Sequence, residues 1–188
     1  MFERFTKDAR AVVRAAVEHA ERQGSRSVDA GQLLLALLDR EASRASFALA
    51  ALGLDARKDS VRRALDESRR HAGLSRADTD ALAGLGIDVS RIVSRVEETH
   101  GVGALSGDRK DRAWWSGRRA FAPDAKHTLE KALRMAVARR HQHIGDEHIL
   151  LALAARPGIA GEILADHGVT YEALTRVLYG EGEARATG

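Results

Sequence analysis

The sequence predicts an all-α fold: two pseudo-symmetric four-helix repeats with an inserted helical segment and a flexible linker between them. Three observations predict it. A constant shift of 116 residues lays Phe5–Leu38 on Phe121–Ala154 without a gap, and Phe5/Phe121, Asp8/Asp124, Ala9/Ala125, Ala16/Ala132 and Ala20/Ala136 are identical; self-similarity of this kind marks a duplicated unit. The opening segment of each copy carries apolar residues three and four apart, the period of a helix with one buried face. Later segments in each copy run into a glycine, the residue suited to the left-handed turn that ends a helix.

Each element has a local reason. Ala9, Val12, Val13, Ala16, Val17 and Ala20 form the apolar stripe of the first helix, with Thr6 as N-cap and Gly24 at its end. Ala125, Leu129, Ala132, Leu133, Ala136 and Val137 form the matching stripe, where Pro123 stands in an opening turn that tolerates a missing amide. The second helix of copy one opens with Asp29 and Gln32 at capping-box spacing, and Asp146 is expected to cap its counterpart. Both helices are almost wholly apolar, Leu33–Leu38 and Ile149–Ala154, which suits a short helix surrounded by others. The third helices are read as Ala48–Gly53 and Ile163–Gly168, with fourth helices beyond. Between the copies, Ala81–Asp88 repeats Ala48–Asp55 at six of eight positions, a partial third unit. The expected boundaries are 1–72 for the first repeat, 73–100 for the inserted unit, 101–119 for a flexible basic linker, 120–180 for the second repeat and 181–188 for a disordered tail.

Composition removes several classes of function. The 188 residues are 44% hydrophobic and 30% charged, the balance of a folded globular protein. Without cysteine there is no disulfide framework, no thiolate zinc site and no cysteine nucleophile. The N-terminus lacks the apolar run of a secretory signal, and no stretch reaches the ~18 apolar residues of a membrane span. A cytoplasmic protein is expected. Net charge is only +3, too small to mark a nucleic-acid footprint by itself.

The opening Met1-Phe2-Glu3-Arg4-Phe5-Thr6, then an amphipathic helix, then a leucine-rich helix, resembles the N-terminal Clp-repeat domain of ClpC- and ClpA-type unfoldases. In the second copy, His143-Ile144-Gly145-Asp146-Glu147-His148-Ile149-Leu150-Leu151 is similar to the family's Ile-Gly-Thr-Glu-His-Leu-Leu-Leu motif, with Asp146 in place of threonine. The resemblance covers roughly residues 1–55 and 119–180. It implies a non-enzymatic binding module that takes substrate tails, adaptors or peptide ligands of the Clp proteolytic system, as an accessory or decoy of the unfoldase. No Gly-x-x-x-x-Gly-Lys-Ser/Thr loop occurs to cradle nucleotide phosphates, and no cofactor is expected. The resemblance also assigns sites. Phe2, Phe121 and Lys126 match a surface between the repeats on which relatives bind adaptors and antibacterial cyclic peptides. Gly145, Asp146 and Glu147 match a phosphoarginine pocket in which the glutamate receives the guanidinium; the corresponding residue in copy one is Gly31.

Other chemistry has less behind it. His141, His143, Glu147 and His148 have the donor types of a zinc site, yet the motif already accounts for Glu147 and His148 and copy one has no equivalent histidines, so no metal is expected. No Ser/His/Asp ordering stands out. The alternative to a Clp module is a nucleic-acid binder using Trp114-Trp115 and the surrounding Arg109, Lys110, Arg112, Arg118 and Arg119.

Overall fold

The computed structural model describes residues 2–71, 73–102, 104, 105 and 119–180, with Phe2 described by its backbone alone. Trp114, Trp115, Arg109, Lys110, Arg112 and Arg118, and the tail expected over 181–188, lie outside the described residues. The fold is all-α, as the sequence predicts. A 3-10 turn (Phe2–Arg4) leads into α1 (Lys7–Arg22), followed by α2 (Ala30–Leu38), α3 (Arg44–Ala51) and α4 (Lys58–Arg70). Next come α5 (Arg76–Gly84) and α6 (Val89–His100), in the segment expected to be an insert, then α7 (Pro123–Ala138), α8 (Asp146–Ala154), α9 (Ile159–Asp166) and α10 (Tyr171–Tyr179). Two short strands, β1 (Ser27–Val28) and β2 (Ala120–Phe121), pair in parallel.

Most helix starts follow local sequence. Thr6 accepts from the Ala9 amide at 3.1 Å, and Asp29 and Gln32 form both halves of a capping box at 2.9 and 2.7 Å. Two expectations are corrected. Asp146 is the first helical residue of α8 and not its cap; Gly145 stands at the cap, the position that Asp29 holds in α2. The third helices begin earlier than read, at Arg44, where Ser43 and Ser46 cap α3 through a pair of hydroxyls, and at Ile159, which follows Gly158.

The repeats do not form two bodies. All six residues of Leu33–Leu38 in α2 and all eight of Asp146–Leu153 in α8 are buried, and the two helices lie against each other. Helices with so little exposed surface need cover all round, and that cover is exchanged between the repeats. α3 lies against α8 and α10 of the second repeat, while α9 lies against α2 and α4 of the first.

The backbone crosses in the same reciprocal way. Val28 pairs with Phe121, and Phe5 bridges Ile144; the 116-residue shift maps one bridge onto the other. Ala122 donates to the Val28 carbonyl at 2.8 Å, and Thr6 to the Ile144 carbonyl at 2.9 Å. One continuous apolar core runs from Phe5 to Leu174.

Because that core is shared, Leu34→Ala in the first repeat is expected to cost roughly 2–5 kcal/mol and to accelerate amide exchange in α8 as well as in α2. Hydrogen exchange followed by mass spectrometry checks this; acceleration confined to the first repeat is the contrary result.

Candidate functional site

Of the residues expected on the surface between the repeats, Phe121 lies at a crossing of the two and Lys126 lies five residues further along in the same repeat. Phe121 is half-buried in β2, held there by its pairing with Val28 of the other repeat. Lys126 is exposed on the first turn of α7, with its amide donating to the Ala122 carbonyl at 3.0 Å. Phe2 opens the 3-10 turn whose chain runs on to the other crossing at Phe5. Phe5 itself is 2% exposed and belongs to the core.

Gly145, Asp146 and Glu147 lie together at the start of α8, and the last two line a cavity of about 410 Å³ with Thr6, Asp8, Arg44 and His143. The decisive neighbour here comes from the other repeat and has no counterpart in the local sequence. Arg44, from α3 of the other repeat, donates from Nη1 to Glu147 Oε1 at 3.0 Å, and Ala45 donates its amide to Asp146 Oδ2 at 3.2 Å. The Glu147 carboxylate, expected from the resemblance to receive a guanidinium, is paired with the guanidinium of Arg44. Burial raises the Asp146 carboxyl above its ordinary range and the Glu147 charge adds to this, against the opposing effect of the Ser43 hydroxyl and the Ala45 amide. A Cβ at position 145 would fall on the Glu147 carboxylate, so any larger residue there would push that side chain aside.

The related place at the start of α2 has diverged. Gly31 stands where Glu147 stands, and Ile159, the first residue of α9, stands where Arg44 opens α3. Without that ion pair a cavity of about 570 Å³ remains, lined among others by Asp29, Gly31, Arg69, Asp124, Arg156 and Ile159. Its helix-start amides are already met by carboxylates, Ala30 by Asp124 at 3.0 Å and Gln32 by Asp29 at 2.9 Å. Burial raises the Asp29 carboxyl, and Arg69 approaches it at 3.4 Å.

The histidines fit a structural pattern shared by both repeats. His148 Nδ1 accepts from the Gly145 amide at 2.9 Å and its Nε2 faces His141 Nδ1 at 2.8 Å. In the first repeat Gln32 makes the same two reaches, to the Asp29 amide at 2.7 Å and to Ser25 at 2.9 Å. Ligand atoms of His141, Glu147 and His148 lie within 4.8 Å of one another, which alone would suggest a metal cluster. The tautomer argues otherwise. An Nδ1 that accepts leaves the proton of neutral His148 on Nε2, so a metal there would need an imidazolate or the loss of the Gly145 bond.

Burial holds the His148 pKa down at about 4, with His141, Arg139 and Arg44 adding to the effect. A histidine that is neutral in the fold and has an ordinary pKa of 6.5 when unfolded contributes fully above pH 6.5. That contribution is lost as pH falls toward 4, by at most about 1.4 kcal/mol per pH unit. Asp29 and Asp146, with raised pKa values, act in the opposite sense, so the comparison must hold them constant. His148→Gln, which copies Gln32, is expected to flatten the fall in melting temperature between pH 6.5 and 4; an unchanged slope contradicts the assignment.

The sequence matches the family of Clp repeat (R) N-terminal domains over residues 4–100 and 120–185. It is 29% identical over 170 residues to an ATP-dependent Clp protease ATP-binding subunit ClpA homolog of Cyanidium caldarium, covering 90% of this chain and 15% of that protein. It is 28% identical over 169 residues to the chloroplastic chaperone protein ClpC1 of Arabidopsis thaliana, covering 89% of this chain and 14% of that one. The chain thus spans about 15% of the length of the curated relatives it matches. The solved N-terminal domain of the caseinolytic protease associated chaperone ClpD from Arabidopsis thaliana superposes with a TM-score of 0.53 at 21% identity, covering 95% of this chain and 94% of that one, a likeness of fold. With both repeats matched and the same fold formed, the chain belongs to the Clp repeat N-terminal domain family.

Proposed function

We propose that the chain is a non-enzymatic binding module of the Clp proteolytic system. It takes substrate tails, adaptor proteins or peptide ligands on the seam between its repeats, and acts as an accessory or decoy of a ClpC-type unfoldase. The observation that carries this reading is the family match across both repeats. The seam supports it: Phe121 offers a half-buried aromatic face and Lys126 an exposed cation nearby in sequence, the mixture of apolar anchor and charge that peptide-binding surfaces use.

A phosphoarginine tail at Gly145, Asp146 and Glu147 is a second reading, supported by the family motif. The Arg44–Glu147 pair bears directly on it. An incoming guanidinium has to displace Arg44, and its phosphate has to approach Asp146.

Titration calorimetry separates the two. A cyclic peptide that binds the unfoldase domain is expected to bind the wild type and to weaken at least tenfold, about 1.4 kcal/mol, in Phe2→Ala and Phe121→Ala, with no change in Arg44→Ala. A phosphoarginine peptide is expected to bind Arg44→Ala more tightly than wild type and to lose that gain in Arg44→Ala with Glu147→Gln. Absence of binding by both ligands to every variant contradicts the seam and pocket readings together. Addition to a degrading Clp assembly then distinguishes an accessory, which speeds proteolysis, from a decoy, which slows it.

A further inference from the structure

Two non-glycine residues among those described have a backbone of positive φ, Ala42 at 52° and Arg140 at 56°, and both lead into the same place. Ala42 precedes the Ser43 cap that sets Arg44 in α3, and Arg140 follows the end of α7 and opens the loop to Gly145. In the first repeat the 116-residue shift puts Gly24, at φ 69°, where Arg140 stands. The turns are the same. Gly24 donates to the Glu21 carbonyl and Ser25 to Ala20, as Arg140 does to Val137 and His141 to Ala136, at 2.9 to 3.1 Å. Such a turn asks for the left-handed conformation, which glycine adopts without the Cβ clash that other residues meet. Arg140 meets that cost, and nothing inside the fold offsets it: among the described residues its guanidinium has no hydrogen bond and no ion pair. Strain held by a group with no internal partner points to a ligand.

Arg140 lines the cavity of about 410 Å³ at the start of α8. The carboxylates of that cavity are already met: Asp8 by Arg40, Asp146 by the Ala45 amide at 3.2 Å and Glu147 by Arg44 at 3.0 Å. His141 is met by His148 at 2.8 Å. What remains are Arg140, Gln142 and His143, exposed side chains of one loop that carry N–H donors and have no side-chain partner among the described residues. They form a rim above the buried Asp146 and Glu147. We propose that this rim receives the phosphoryl group of a phosphorylated serine or threonine on a peptide, with Arg140 as its principal partner and Arg44 left on Glu147. A guanidinium gives a phosphate two parallel hydrogen bonds. Three donor side chains suit the three terminal oxygens and double charge of a phosphoryl group better than a carboxylate. A cavity of this size holds more than a bare anion, so the group arrives on a side chain. Unlike phosphoarginine, this ligand needs no displacement of Arg44, and the two readings fail on different variants.

Fluorescence anisotropy of the full chain with a labelled Gly/Ala peptide carrying one phosphoserine, and with its unphosphorylated form, tests it. The phosphopeptide is expected to bind at least about tenfold more tightly, the scale of one charge-assisted contact. Arg140→Gly, which copies Gly24, is expected to erase that preference while leaving the melting temperature equal or higher, so that lost binding is not lost folding. Arg140→Lys keeps the charge and is expected to retain part of the preference, and Arg95→Ala, which removes an exposed cation on α6, to leave it unchanged. Arg44→Ala is expected to hold the phosphoserine affinity within about threefold, whereas the phosphoarginine reading predicts tighter binding of its own peptide by that variant. Inorganic phosphate is expected to compete at least about a hundredfold more weakly than the phosphopeptide; equal competition would show an adventitious ion only. A wild type with no preference for the phosphorylated peptide, or a preference that survives Arg140→Gly, overturns the proposal.

Discussion

Burial of α2 against α8 is the constraint on which the rest depends. Neither helix has a polar face to give to water, because Leu33–Leu38 and Asp146–Leu153 are all inside. Each repeat alone supplies its second helix with too little cover, and the exchange of α3 and α9 supplies the remainder. The two backbone crossings follow from the same geometry: once the repeats embrace, the segment before each first helix runs beside the segment before the other repeat's second helix. Their amides and carbonyls then satisfy one another.

On this common frame the two helix starts have been given different chemistry. At α8, three buried polar residues in sequence, Asp146, Glu147 and His148, are each met from elsewhere: by the Ala45 amide, by Arg44, and by Gly145 with His141. At α2 the corresponding residues are Ala30, Gly31 and Gln32, and only the last needs partners. Buried polar groups persist when they are satisfied, so the scaffold tolerates both solutions. The first leaves a smaller cavity bordered by an internal ion pair, the second a larger one beside Arg69 and Arg156.

Much of this was legible in the sequence because it repeats. The shift that pairs Phe5 with Phe121 also pairs Val28 with Ile144, and the structure makes both crossings from those four residues. At the cap of α8 an aspartate beside the helix start is the stronger local signal, yet the same shift puts Gly145, not Asp146, on Asp29. The start of α3 carries a weak signal because Ser43 and Ser46 lack the glutamate or glutamine of the usual box. Arg44 on Glu147 had no local trace, since the partners are 103 residues apart. Nor could periodicity tell that Leu85 and Ile87 stay in water while Leu52 and Leu54, their matches in α3's turn, do not: pattern reports a face that wants burial and is silent on whether a neighbour provides it.

The claim that the duplication makes one interlocked body, and not two repeats on a string, is open to a single calorimetric measurement on the full chain. The exchange of α3 and α9 predicts one unfolding transition whose van't Hoff enthalpy equals its calorimetric enthalpy, as for a cooperative domain. Two resolved transitions, or a calorimetric enthalpy about twice the van't Hoff value, would show repeats that unfold independently and would contradict it.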